Sequence, residues 1–320
     1  MNTNENSPYI KALRDYMGLE KKESILVVAD EAKREIGLEL FEAGKTLCSN
    51  ALYIEMKSRD VNGEEPPKQI AELMKQVDVV ICPTSKSLTH TKARINACQL
   101  GVRVGTMPGI TKEILERCLS ADFNQIVAVS NKVQELLDNA KTIRVISQLG
   151  TDLTMNKEGR KAISSTGVIR EKGAGGNLPS GEVYLAPVEG KSNGKLVVDG
   201  SIAGIGKVNE IVTIEIKDGY ATSITGGNEA QQLDDTLRKV GKEAYSVAEF
   251  GFGTNYKAEI CGLILEDEKV LGTIHIAFGN NKSFGGNVDV PVHIDAIVKN
   301  PTVYFDDILI MENGKLSVIA

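Results

Sequence analysis

The sequence predicts an α/β protein in two parts: an N-terminal open α/β sheet domain over residues 1–148, then a β-rich α+β domain over residues 149–320. Short β-type runs alternate with amphipathic helical stretches over roughly the first 120 residues, the pattern of a parallel sheet with right-handed crossovers. From residue 142 onward, strand-and-turn patterns replace that alternation, which places the boundary within 145–155. A chain of 320 residues with 42% hydrophobic content is long enough for two such domains and can bury a substantial core.

In order, "ESILVVAD" reads as a first strand, and the following "EAKREIGLELFEAGKTLC" repeats its apolar residues at helical spacing. "SNALYIEMK" is a second strand, and "PPKQIAELMKQ" a helix opening on prolines, which a helix start tolerates. "VDVVICP" is a continuous apolar strand of the kind buried on both faces. "SLTHTKARINACQLG" is a helix closed by Gly101, "VRVGTMPG" a further strand, and "ITKEILERCLS" and "NQIVAVSNKVQELLDNA" are helical. "KTIRVISQLGTDLTMNK" then reads as strand, turn, strand. The glycines of "REKGAGGNLPSG" are turn chemistry, since the run lacks the G-x-G-x-x-G spacing of a phosphate cradle. "EVYLAP", "KLVVDGSI" and "EIVTIEIKDGYATSITGG" are strands, "NEAQQLDDTLRKVG" is a helix, and the remainder is strand and turn.

A net charge of -6 argues against nucleic acid or an anionic membrane as partner. The N-terminal stretch "MNTNENSPYIKALRDYMG" has no apolar core of the secretory type, and "SILVVA" and "VDVVIC" are too short to span a bilayer. Five cysteines without C-x-x-C spacing read as reduced thiols, so a cytoplasmic protein is expected.

The chemistry is concentrated in the second part. The chain has three histidines, and two of them, His275 and His293, lie in apolar strands. In "VHIDAI", side chains two apart share a face, so His293 and Asp295 point the same way and can converge on one cation. His275 shares its face with the small Thr273 and Ala277. Glu182 opens the strand after the glycine loop, and Glu249 sits in an apolar strand where nothing local compensates its charge. "LEDEK", with Glu268, reads as a solvent-facing hairpin turn. A lone core histidine or edge carboxylate is ordinarily no ligand; together these residues suggest a metal-binding second domain. His90 and Arg94, four apart on a helix beyond the carboxyl end of "VDVVICP", lie where open sheets bind ligands, although a structural or dimer role is the more common use of such a pair.

"NLPSGEVYLAP", "AEFGFGTN", "EDEKVLGTIHIAFG" and "VHIDAIV", in this order, resemble the aminopeptidase T family of metalloaminopeptidases, as does "SLTHTKAR…GVRVGTMPGIT". The resemblance implies a two-metal hydrolase that removes N-terminal residues from peptides, working as a homodimer. The ligands it implies are Glu182, Glu249, His275, His293 and Asp295, holding two Zn, Co or Mn ions, with a general base among Glu182, Glu249 and Glu268. Where family members carry a tyrosine ligand, this chain has Lys282. The alternative comes from the same scaffold, which is similar to that of dioxygenases that open hydroxylated pyridine rings. There His275, His293 and Asp295 would form the two-histidine, one-carboxylate triad of a single Fe(II).

Overall fold

The computed structural model describes residues 6–318. The first five residues of the polar N-terminal stretch and the last two of "GKLSVIA" lie outside the described residues. The protein is a mixed α/β fold in two compact units. One comprises residues up to Phe123 together with Gly167–Ser180, and the other Asn124–Thr166 together with the chain from Gly181 onward.

The first unit is an open five-stranded sheet. Its strands run in the order Asn50–Met56, Ser24–Asp30, Val79–Thr84, Arg103–Pro108 and Gly175–Asn177, and every pairing is parallel. Val79–Thr84 is buried along its whole length, as a strand covered on both faces must be. The helices Arg34–Leu47, Lys68–Leu73, Lys92–Gln99 and Lys112–Cys118 follow the strands as the sequence alternation predicts. Thr91 and Thr111 cap the last two by accepting from Arg94 N and Ile114 N. The fifth strand lies inside the glycine-rich run that reads as loop. A Cβ at Gly175 would sit 2.8 Å from Cys98 Sγ, so glycine there lets the strand lie against the helix.

The second unit is built from two antiparallel sheets. The eight-stranded one runs Tyr220–Thr225, Val212–Lys217, Ser192–Val198, Asp152–Asn156, Thr142–Ile146, Thr302–Phe305, Ile308–Glu312 and Lys315–Leu316. The seven-stranded one runs Gly206–Lys207, Ser201–Ile202, His293–Lys299, Thr273–Gly279, Val247–Gly253, Glu182–Leu185 and Ile163–Ser165. One apolar core joins residues of both sheets with the helices Phe123–Asn139 and Asn228–Val240. Phe250 of one sheet meets Phe305 of the other edge to face, with centroids 6.1 Å apart.

Nearly all of the helix Phe123–Asn139 belongs to this second unit, whereas the sequence grammar groups it with the helices before it. Its residues Val129, Val133 and Leu137 enter the second core. Periodicity shows that a helix has an apolar face; it does not show which sheet that face covers. No helix among the described residues is long and apolar enough to cross a membrane.

Candidate metal centre

The site lies on one face of the seven-stranded sheet. On the opposite face Phe250, Phe252, Ile274, Ile276, Phe278, Ile294 and Ala296 fill the core. Alternation then turns His275, Ala277 and Gly279 of one strand, and His293 and Asp295 of the next, the other way. Register puts Glu249, Ala277 and Asp295 in one row across three strands, and sets Gly279 beside His293. Ala277 and Gly279 leave room between the polar groups.

A bulge lies just before Glu249. Val247 pairs with Phe278 but Glu249 pairs with Ala277, so two residues oppose one. Glu249 alternates with the core residues Phe250 and Phe252, and the extra residue returns Val247 to the core side. Gly251, opposite His275, is the second device. A Cβ there would stand 1.9 Å from His275 Nε2, so only glycine lets the imidazole lie across the neighbouring strand. Glu182 follows Gly181, whose φ of +134° and close approach to Asn255 exclude a side chain.

Glu182, Glu249, His275, His293 and Asp295 are brought together. His275 Nε2 lies 3.3 Å from Glu249 Oε1 and 3.6 Å from Glu182 Oε2. His293 Nε2 lies 3.3 Å from Glu249 Oε2 and 3.3 Å from Asp295 Oδ1. Glu182, Glu249, His275 and Asp295 are buried, and His293, its side chain 31% exposed, is the member open to solvent. Phe284 packs edge to face on His293 and on Tyr184, forming an aromatic wall beside it.

Glu268 joins the cluster, which overturns the solvent-facing reading of "LEDEK". Ile264–Asp267 is a helical turn, and Glu266, Asp267 and Lys269 are fully buried. Glu266 accepts from Glu259 N, and Asp267 accepts from Cys261 N and Gly262 N, so these two hold the preceding loop. Lys269 donates to Glu182 at 2.6 Å and to Glu268. A usable signal was present: "ILEDEKVL" contains neither Gly nor Pro, and Asp267 is its one turn-favouring residue. Lys282 stands apart from the cluster, paired with Asp289 at the surface. Arg94 donates to Thr89 O, holding the start of its own helix, and His90 is an exposed residue ahead of that helix.

Two groups of donors converge closely enough to hold a metal ion: Glu249 with His293 and Asp295, and Glu182 with Glu268 and His275. His275 falls in a different group from His293 and Asp295, and Glu249, 3.3 Å from both imidazoles, links the two. The first group fits a cation on its own evidence. His293 donates Nδ1–H to Asn280 O at 2.7 Å, which leaves the Nε2 lone pair facing two carboxylates. Asp295 Oδ1 is buried and makes no hydrogen bond, despite that 3.3 Å approach. Three acceptors facing one another need a proton or a cation between them.

The electrostatics agree. Burial disfavours ionised Asp295, but His293 beside it outweighs that and holds its carboxyl down at about 2. Burial likewise opposes charge on His275, yet its bond to Glu249 and the charge of Glu182 push it up to about 9. His293 is raised well above its ordinary value against the same burial penalty, chiefly by Asp295. Glu268 is pushed up to about 8 by burial, with Lys269 opposing. A field that retains protons so firmly also favours a divalent ion. A cavity of about 280 Å³ elsewhere in this unit is lined by Glu189, Tyr220, Glu243, Asn287, Val288, Asp289 and Val290, and none of the cluster lines it.

The family signature described as "NicX: 2,5-dihydroxypyridine 5,6-dioxygenase" matches residues 15–318. The chain belongs to this family. A 2,5-dihydroxypyridine 5,6-dioxygenase of Pseudomonas putida is 28% identical over 235 residues, covering 69% of this chain and 66% of that protein, just under two thirds of its length. The structure of a 2,5-dihydroxypyridine dioxygenase from Pseudomonas putida KT2440 superposes with a TM-score of 0.85 at 21% identity, over 100% of this chain and 98% of that one. Wild-type AmpT from Thermus thermophilus superposes with a TM-score of 0.70 at 15% identity, over 98% of each chain.

These matches correct the hydrolase reading. The likeness to aminopeptidase T is a likeness of scaffold, and membership of the dioxygenase family replaces the metalloaminopeptidase assignment, with its hydrolase and protease activity. The misreading has a physical source. A sheet face that gathers carboxylates and imidazoles looks the same in sequence whether the bound metal serves hydrolysis or oxygen chemistry.

Proposed function

We propose that the chain is a metal-dependent ring-opening dioxygenase acting on a hydroxylated pyridine or a similar electron-rich aromatic. Membership of the NicX family over residues 15–318 carries the reading. The relative's name supplies 2,5-dihydroxypyridine as the first substrate to try. Glu249, His293 and Asp295 would hold one Fe(II), a carboxylate-rich set with one imidazole. Bound Fe(II) supplies the one-electron chemistry through which dioxygen can attack a closed-shell ring.

The chain's own residues then have separable tasks. Asn280 fixes the tautomer of His293 by accepting from Nδ1, so that Nε2 remains a ligand atom. Buried Glu249 and Asp295 carry the negative charge that retains the cation. His293 marks the open side, and there the edge-to-face wall of Phe284 and Tyr184 offers a flat aromatic ring a surface to pack against. The reaction breaks one ring carbon–carbon bond and places both oxygen atoms of O₂ in the product.

The test is to purify the protein anaerobically, load it with Fe(II), verify loading by elemental mass spectrometry, and follow oxygen consumption with 2,5-dihydroxypyridine. One O₂ consumed per ring lost is expected. His293→Ala and Glu249→Ala should each lower turnover by more than about a hundredfold while keeping the wild-type circular dichroism. Absence of oxygen uptake by the Fe(II)-loaded protein with 2,5-dihydroxypyridine and with a panel of other dihydroxylated aromatics would overturn the reading.

A further inference from the structure

Lys269 is fully buried, and its ammonium rests against Glu182 and Glu268, two of the three donors of the second candidate group. The third donor, His275, approaches Glu182 through the other carboxylate oxygen, with Nε2 3.6 Å from Oε2. Each carboxylate of this group thus already spends one oxygen on a fixed cation.

We propose that Lys269 stands where a second metal ion would otherwise be needed: its tethered ammonium balances Glu182 and Glu268, so the centre takes up one exchangeable divalent ion and not two. The inference rests on the reading of Glu249, His293 and Asp295 as the ligands of that one ion. Two observations carry it. The two donor groups are joined, because His275 of one lies 3.3 Å from Glu249 of the other, so together they form a single buried field. In that field stand four carboxylates, Glu182, Glu249, Glu268 and Asp295, against one ammonium. One divalent ion together with Lys269 offsets most of that negative charge. A second divalent ion would have to share both Glu182 and Glu268 with an ammonium in contact with them, where like charges repel at short range and little water screens them.

A lysine also differs from a metal in what it can do. An ammonium donates three hydrogen bonds and has no vacant coordination position, so it can balance charge and orient carboxylates but cannot polarise a substrate as a Lewis acid. Lys269 is therefore a positioning residue. It holds Glu182 and Glu268 in place beside the metal.

Counting bound Mn(II) tests this. Metal-free wild type and Lys269→Met are titrated with Mn(II), the bound ion is counted by equilibrium dialysis with elemental analysis, and the electron paramagnetic resonance spectrum is recorded. One Mn(II) with an isolated-ion spectrum is expected for wild type, and two with an exchange-coupled spectrum for Lys269→Met. Removing a buried ammonium from between two carboxylates is destabilising, so a second variant, Lys269→Met with Glu268→Gln, deletes one charge of each sign. It should bind one Mn(II), because it lacks a full second donor set. Two tightly bound ions in wild type, one ion in folded Lys269→Met, or two in the double variant would overturn the proposal. A wild-type chain that binds no Mn(II) would overturn the metal-ligand reading and this inference with it, a different failure from a wild type that binds two.

Discussion

His275 shows how strongly the cluster acts on a single residue. It is completely buried, its Nδ1 makes no hydrogen bond, and its Nε2 faces Glu249 and Glu182. Its folded value of about 9 lies above the ordinary 6.5, so the folded chain keeps a proton that the unfolded chain releases. The stability this contributes is complete below pH 6.5 and is lost as the pH rises through 9. Asp295 works in the opposite sense: its contribution is present above its ordinary value of 3.8 and is lost as the pH falls through about 2. In the presence of a chelator, the melting temperature should therefore drop between pH 6.5 and 9. In metal-loaded protein the drop should be smaller, because the ion neutralises Glu249, whose bond to His275 helps to hold that proton. A melting temperature that is flat over that range in chelator would show that the imidazoles are neutral in the metal-free fold. Both histidines and Asp295 were legible as candidates because polar residues in apolar strands are costly without a partner. Lys269 was not, since a lysine in a charged run looks solvent-facing until the fold buries it.

At the scale of the element, the strand Val247–Gly253 decides whether the site forms. Alternation with Phe250 and Phe252 turns Glu249 toward the site, and Gly251 makes space for the ring of His275. Gly251→Ala would place a methyl group 1.9 Å from His275 Nε2, so the imidazole must move. The expected outcome is a folded protein with metal affinity lowered about tenfold or more, measured by Mn(II) titration beside a melting curve. Unchanged affinity would show that the His275 ring can shift without disturbing Glu249. The sequence reveals this strand by its apolar run and isolated glutamate. It does not reveal the bulge: alternation with Phe250 and Phe252 puts Glu249 on the site face, but it would put Val247 there too, whereas the extra residue turns Val247 into the core. The neighbouring strands, which pair regularly, could be read correctly as to which residues face the site.

For the whole molecule, the two-part α/β architecture follows from the change in pattern along the chain, but its partition does not. The chain crosses between units after Phe123, after Thr166 and after Ser180, so neither unit is one continuous stretch. Local periodicity cannot report this, since the helix Phe123–Asn139 and the strand Gly175–Asn177 look ordinary and differ only in which sheet they join. A fragment of residues 1–148 should therefore fold poorly. It lacks Gly175–Asn177 at the sheet edge, and it exposes Val129, Val133 and Leu137, which belong to the other core. A cooperative thermal transition and dispersed amide spectrum from that fragment would count against the partition. The same interleaving bears on how the protein is made. On the ribosome, the nascent chain cannot close its first sheet until the stretch through Asn177 has emerged, and by then it also carries the opening helix and strands of a second core that awaits Phe305. Neither half can mature and wait for the other, so vectorial synthesis leaves apolar surface of both exposed at once, and the interval before completion is when a chaperone would matter most.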